Sequence, residues 1–489
     1  MKKFINKIKN NKVLSILSVL IIGLFFILVT RITYAYLAPV INDAQTNVVG
    51  STDTVDDFKF ELGNPLKINA TPTTLKENGT NYTTSTTAKA LLKANSTKKT
   101  ATFNYYVYFQ IKSNTFIYSD GSTPEIILTV TSPNGDEITS IDGLTYGTFN
   151  GVSGFDITTK KGLFNIANNH EITSNSSTTY TTQSWTIKIT YLNLSIDQSA
   201  NFGNSMGVNV YITKNEKKPT LADVCSNGQT LSSCIVAMDG KDDTLYHHTS
   251  ELTNGAGDNS YRYAGASESV NNFVCFGSDE ATCPDANLFR IIGVFGDQTK
   301  VIRAKSVGNK QWHTSADNTW SSSSLNTYLN GEYLTSLGTI AEKIATTTWK
   351  VGGGSWANIG TSVPKTAYQY EVGSSASTTT YDAKIGLMYV TDYYYSASPS
   401  AWTLMGYNSD ATKDYRAAKT TNWLYLGSPE WTLSRESDIT TYAFYVYSTG
   451  AVNYNYVTYS RGVRPSFNLL SSTTYVSGSG SMSDPVRIN

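Results

Sequence analysis

The sequence predicts an α+β protein in three parts: an N-terminal signal or anchor helix, an all-β sandwich, and a C-terminal α+β domain. Three observations carry that expectation. Five lysines precede an uncharged apolar run from Val13 to Val29. Residues 37–215 then hold short alternating or apolar runs, separated by turn signals such as Pro133-Asn134-Gly135. After the charged, proline-ended stretch Lys214-Asn-Glu-Lys-Lys-Pro219, cysteines and helical spacings appear. The chain of 489 residues has the length of about three domains. The boundaries read as 1–36 for the signal or anchor, 37–215 for a sandwich stalk, 216–222 for a linker and 223–489 for the last domain.

The leader comes first. A basic start, an apolar middle and small residues around Ala35 describe a secretory signal cut after Ala35. The alternative is an uncleaved anchor, in which residues 13–29 cross the membrane and Arg31 sits at the outer interface. Both readings put everything after Tyr36 outside, so the protein is expected to be extracellular, at the cell surface, or membrane-anchored with a short cytoplasmic N-terminus. Charge agrees with that location. The 38 basic and 38 acidic residues cancel, and six of the cations lie in the first 31 residues, which hold no acid. The remainder is mildly anionic, so nucleic acid is not an expected partner.

In the sandwich region, Phe103–Ile111, Glu125–Val130, Trp185–Tyr191 and Gly207–Ile212 read as strands. Helical signal is limited to a turn or two near Thr87–Ala94. The last domain opens with Cys225 and Cys234, then Cys275 and Cys283. Four exported cysteines read as two disulfides with three connectivities, and the two local pairs are favoured. Zinc is not expected, because no Cys-x-x-Cys and no His at ligand spacing accompanies them; no cofactor is expected at all. Leu288–Phe295 reads as a buried strand. Four serines leading into Leu325, Tyr328 and Leu329 mark a capped helix, and Leu337, Ile340 and Ile344 a second short one.

Near the C-terminus stand Trp423-Leu-Tyr-Leu-Gly-Ser-Pro429, Ala443-Phe-Tyr-Val-Tyr-Ser-Thr-Gly450 and Ser460-Arg-Gly-Val-Arg-Pro-Ser-Phe-Asn-Leu469. Together with the Cys275–Phe295 block, they resemble the C-type-lectin-like domains of exported Gram-positive bacterial proteins, a fold related to the formylglycine-generating enzymes. The first 210 residues loosely resemble camelysin-type sandwich proteins. The lectin-like resemblance implies a variable ligand-binding face, and in some relatives diversification by a retroelement. It does not carry over calcium-dependent sugar binding or formylglycine generation, because neither motif set is present.

The closing hairpin is read from its own residues. Thr449-Gly450 reads as a two-residue turn. That register sets Tyr445 opposite Tyr454 and Tyr447 opposite Val452, with Phe444 and Val446 on the other face. Tyr445, Tyr447, Tyr454 and Tyr456 then project outward together while Asn453 and Asn455 turn inward; a different turn or a bulge is the alternative. Tyrosines among asparagine and serine make a recognition surface, since they give large contact area with few rotatable bonds. The candidate ligand-binding residues are therefore Tyr445, Tyr447, Asn453, Tyr454, Asn455, Tyr456, Tyr459 and Arg461, with Trp423, Tyr425 and Trp431 from the preceding loop. The competing reading is that these rings pack a β-rich core.

No catalytic residues are assigned. The four histidines are His170, His247, His248 and His313, and no nucleophile elbow or His-Glu-x-x-His accompanies them. His247-His248 reads as an exposed turn, and Glu430 and Asp438 as solvated carboxylates. The expected function is that of an adhesin-like binding protein for an extracellular protein or glycan. The alternatives are an architectural, fibre-forming surface protein and, behind it, an enzyme using the lectin-like cleft.

Overall fold

Alternation along the strands decides how the first unit is built. In Tyr82–Lys93, the residues Ala88, Ala90 and Leu92 are buried, while those between them are half-buried. A strand buries every second residue, so one face is committed to a core. The computed structural model describes residues 56–64, 66–69, 80–201 and 203–489. The expected leader, with its apolar run, lies outside the described residues. Among the described residues no helix is long and apolar enough to cross a membrane. The chain divides into two compact units between Lys217 and Lys218.

The first unit is a sandwich-like pair of antiparallel sheets. Six strands run in the order Asp57–Leu62, Tyr82–Lys93, Thr181–Tyr191, Ile126–Thr131, Val152–Asp156, Thr145–Phe149. Four more run in the order Lys67–Asn69, Ser205–Thr213, Ala101–Asn114, Gly162–Ser174. Tyr105, Phe109 and Ile111 of the smaller sheet share one core with Leu128, Ile187 and Ile189 of the larger. The turn of helix expected near Thr87–Ala94 is instead strand. Its Ala, Lys and Leu are good helix formers, but eleven residues of pairing with Thr181–Tyr191 override that local preference. Glu125 is wholly buried. Ser119 N–H, Tyr191 O–H, Gln198 Nε2 and Asn201 Nδ2 donate to its carboxylate at 2.6–3.0 Å, which compensates the burial of the charge.

The second unit is also mostly sheet, with a few short helices. Leu288–Phe295 is buried along nearly its whole length and pairs with Tyr261–Tyr263, Phe273–Cys275 and Gln298–Arg303. The last strand, Val486–Ile488, returns to lie parallel to Phe273–Cys275. A separate five-stranded sheet carries the closing hairpin, in the order Asn309–Gln311, Ser460–Gly462, Glu430–Arg435, Tyr442–Val446, Val452–Tyr456. The serine run does cap a helix: Ser323 Oγ accepts from Asn326 N–H at 3.0 Å, starting Ser324–Tyr328. Leu337, Ile340 and Ile344 flank or lie within a 3-10 turn, Gly338–Lys343.

Two expectations are corrected here. Cys275 and Cys283 are joined, but no disulfide joins Cys225 to Cys234. Cys225 follows one short helix and Cys234 lies inside the next; both pack in the hydrophobic core, where a thiol behaves as a small apolar group. The His247-His248 turn is not an exposed one. His247 is half-buried and stacks on Tyr261 at 4.0 Å. His248 is fully buried against Tyr395 and Trp402, with rings 4.7 and 5.1 Å away. Its Nδ1 accepts Ala256 N–H at 3.0 Å.

Burial, with the Arg262 charge adding to it, pushes His248 down to about 3 from its ordinary 6.5. Between those values the unfolded chain binds a proton that the folded chain refuses, so stability falls as pH drops from 6.5 toward 3. His248→Asn keeps an acceptor for Ala256 and removes the titration. Melting temperatures measured across that range are expected to fall less steeply for the variant than for the parent, and parallel curves would contradict the assignment.

Candidate functional site

The Gly462-Val-Arg-Pro465 stretch contributes a charge to the interior. Arg464 and Glu430 are both buried, at 1% and 3% exposure. Arg464 donates through Nε and Nη2 to the two oxygens of Glu430 at 2.5 and 2.8 Å, and through Nη2 to Leu424 O at 2.6 Å. The planar guanidinium matches a carboxylate in this two-point fashion. Burial pushes the Glu430 carboxyl up, with Arg464 pulling against it. Glu430 is thus not the solvated carboxylate expected from sequence. It starts the strand that pairs with Tyr442–Val446, so the ion pair sets where the hairpin lies. Asp438 is exposed.

The turn of the hairpin has three residues, not two. Tyr447 N–H donates to Ala451 O at 2.8 Å and Gly450 N–H to Tyr447 O at 2.9 Å, with Gly450 at φ +97°. That is a turn closed by a left-handed glycine. One extra residue shifts the register: Phe444 faces Tyr454, Tyr445 faces Asn453, and Tyr442 faces Tyr456. The tyrosines expected on one face therefore divide between two.

One face carries Tyr442, Phe444, Val446, Val452, Tyr454 and Tyr456. Near the turn it is sealed, because the tip is docked: Tyr393 O–H donates to Gly450 O at 2.7 Å and Tyr425 O–H to Ser448 O at 2.5 Å. Toward the open end it emerges, with Tyr454 half-buried and Tyr456 45% exposed. Here six rings form a continuous strip. Centroid spacings run Tyr407–Trp356 5.8 Å, Trp356–Tyr454 4.7 Å, Tyr454–Tyr442 5.2 Å, Tyr442–Tyr456 4.6 Å and Tyr456–Tyr459 5.8 Å. Two of these contacts are edge-to-face, the arrangement favoured by the ring quadrupoles.

Trp356 is the hub of the strip. Among the described residues it is the one tryptophan that is not buried. Glu436, buried at 1% exposure, accepts its backbone N–H at 3.0 Å and also accepts Ile439 N–H. Asn318 Nδ2 bonds the carbonyls of Glu436, Ile439 and Tyr442 at 2.7–3.1 Å. These two polar side chains hold the loop before the hairpin. Gly360 leaves the room: a Cβ there would stand 2.0 Å from Trp356 Cε3.

The other face holds Tyr445, Asn453 and Asn455. Tyr445 is buried, and Arg461 lies 3.6 Å over its ring and 5.3 Å from that of Trp431, a stacked cation. Tyr447, 5.9 Å from Tyr445, is 41% exposed. Val452–Tyr456 is the edge of its sheet. Asn453 and Asn455 accept the Tyr454 and Tyr456 N–H groups at 2.8 Å, and Gly406 O accepts that of Val452 at 3.0 Å. The outward donors of the edge are thereby occupied within the chain, which blunts strand addition.

Of the residues expected to bind, Tyr456 and Tyr459 lie on the strip and are exposed, Tyr454 is half-buried in it, and Tyr447 is exposed on the opposite face. Tyr445, Trp423 and Trp431 are sealed. Trp423 donates to Tyr263 O at 2.8 Å with Arg290 over its ring, and Trp431 donates to Lys310 O at 3.0 Å; neither has a ring face open to a sugar. Sequence reasoning missed Trp356, Tyr407 and Tyr442. Trp356 and Tyr407 are distant in sequence from the hairpin, and only the shifted register puts Tyr442 beside Tyr456.

Removing one partner of a buried ion pair leaves an uncompensated charge and costs about 3–5 kcal/mol, whereas replacing both with apolar groups is often close to neutral. Arg464→Met is therefore expected to destabilise the second unit by about that amount, and Glu430→Met with Arg464→Met to recover most of the loss. Denaturant unfolding checks both, and equal losses in the single and double variants would contradict the pairing.

Residues 296–471 match a family described as a domain of unknown function, DUF6273. The match includes Trp356, the hairpin and the Glu430–Arg464 pair. No curated protein and no solved structure is found that matches the chain.

Proposed function

We propose that the chain is an exported, surface-associated binding protein. A sandwich stalk would carry a C-type-lectin-like tip that recognises an extracellular protein through the Trp356–Tyr456 strip. The observation that carries the reading is the continuous row of six aromatic rings, opening from a sealed turn to an exposed end. Buried aromatic anchors with polar tips dominate protein interfaces. A protein ligand fits better than a glycan, because stacking on a sugar needs free ring faces. Edge-to-face packing uses the faces of Tyr454 and Tyr456, or of their neighbours, internally. Export is supported by the basic-then-apolar leader and by the Cys275–Cys283 bridge, since disulfides persist in oxidising compartments. A fibre built by strand addition at the hairpin edge is disfavoured by the capped donors of Tyr454 and Tyr456.

The test uses arrays of extracellular proteins and of glycans, probed with the full chain. Tyr456→Ala with Tyr459→Ala removes two exposed rings and is expected to shift stability by no more than about 0.5 kcal/mol. The parent is expected to bind defined protein spots and the double variant to lose at least about tenfold in affinity. Binding confined to glycans, or binding untouched by the double variant, contradicts the proposal.

A further inference from the structure

Away from the strip, the second unit holds a pocket of about 190 Å³, lined by Asp258, Arg262, Lys300, Trp349, Tyr389 and Asp392 among others. Arg262, Lys300 and Asp392 are 3–5% exposed, so three charges are committed to the interior. Their charges are paired. Lys300 Nζ donates to Asp392 Oδ2 at 2.6 Å, and Arg262 Nη2 to Asp258 Oδ2 at 2.6 Å.

The hydrogen bonds are not balanced in the same way. Asp258 Oδ1 accepts from both the N–H and the hydroxyl of Ser260, and Asp392 Oδ2 also accepts Tyr389 N–H. The acceptors of Asp258 are largely spent, and Asp392 keeps Oδ1 with only Arg262 Nη1 near it. The donors are not. An ammonium has three N–H groups, and among the described residues that of Lys300 donates to Asp392 alone. Arg262 Nε donates to Ser260 Oγ at 2.8 Å, while its Nη1 lies 3.6 Å from Asp392 Oδ1, beyond hydrogen-bond range. Lys350 also lines the pocket and has no carboxylate within ion-pair reach among the described residues. The lining therefore carries three cations, two carboxylates and spare N–H groups. Its walls are aromatic: Lys300 Nζ is 4.6 Å from the Tyr389 ring and 5.4 Å from that of Trp349.

We propose that this pocket binds a small ring-borne carboxylate, its oxygens accepting from Lys300 and Arg262 and its ring lying beside Phe295 and Tyr389, two half-buried rings of the lining. The volume is comparable with that of a cavity of about 150 Å³ that takes up benzene, the space of one small ring. An aromatic acid and a sugar acid share this chemistry. The reading is independent of the strip.

Titration calorimetry on the full chain uses benzoate and glucuronate, with benzyl alcohol and glucose as uncharged counterparts. At least one carboxylate is expected to bind with Kd below about 1 mM, and its uncharged counterpart at least about tenfold more weakly. Which acid binds identifies the source. Lys300→Met is expected to abolish binding. Thr347→Phe leaves the ion pairs untouched and places bulk on the strand face it shares with Trp349, at the pocket; it is expected to abolish binding with the fold intact. Tyr456→Ala with Tyr459→Ala is expected to change nothing here. No binding of either acid at about 10 mM, equal binding of the uncharged counterparts, or binding that survives Thr347→Phe would overturn the proposal.

Discussion

Arg464 and Glu430 are two full charges held out of water, and each is tolerated only because the other is there. Their two-point contact fixes the start of Glu430–Arg435 against the Gly462–Pro465 stretch. The hairpin pairs with that strand, and its tip is then pinned by Tyr393 and Tyr425. A hairpin anchored at its turn exposes its other end. The emergence of Tyr456 and Tyr459, and the packing of Tyr454 on Trp356, follow from that anchoring rather than from any property of the tyrosines alone.

Much of the architecture was legible because it rests on local periodicity. Strand runs such as Phe103–Ile111 and the uninterrupted Leu288–Phe295 form strands, and the serine-capped helix begins where its serines place it. The misreadings share a cause. At Thr87–Ala94, helix propensity masked a two-residue period that only pairing enforces. At Thr449-Gly450, the dipeptide signalled a turn without giving its length, and one residue sufficed to separate Tyr445 from Tyr454. Glu430, His248 and Trp431 look like surface chemistry in sequence. Each is buried because another residue completes it: Arg464 and Lys310 from far along the chain for Glu430 and Trp431, and Ala256 from the following loop for His248. Trp356 carried no local signal at all, as its neighbours in the strip lie some 50 to 100 residues onward.

Only 16% of the chain is charged, and that low content acquires a physical meaning in the second unit. Several rings of its interior have their polar atoms matched to backbone carbonyls, as with Trp312 to Thr432, Trp349 to Ala383 and Trp402 to Ala397. Cations are used as ring covers, Arg290 on Trp423 and Arg461 on Tyr445. Aromatic residues thus form both the core and the outer strip. What distinguishes the two is whether a ring is sealed from water, as Trp423 and Tyr445 are, or open to it, as Tyr456 and Tyr459 are.

Hydroxyl-radical footprinting of the full chain, read by mass spectrometry at single residues, tests that distinction most directly. Fast oxidation at Tyr447, Tyr456 and Tyr459, with slow oxidation at Trp423, Trp431 and Tyr445, is the expected pattern. Protection of Tyr456 and Tyr459 to the level of Tyr445 would contradict the account.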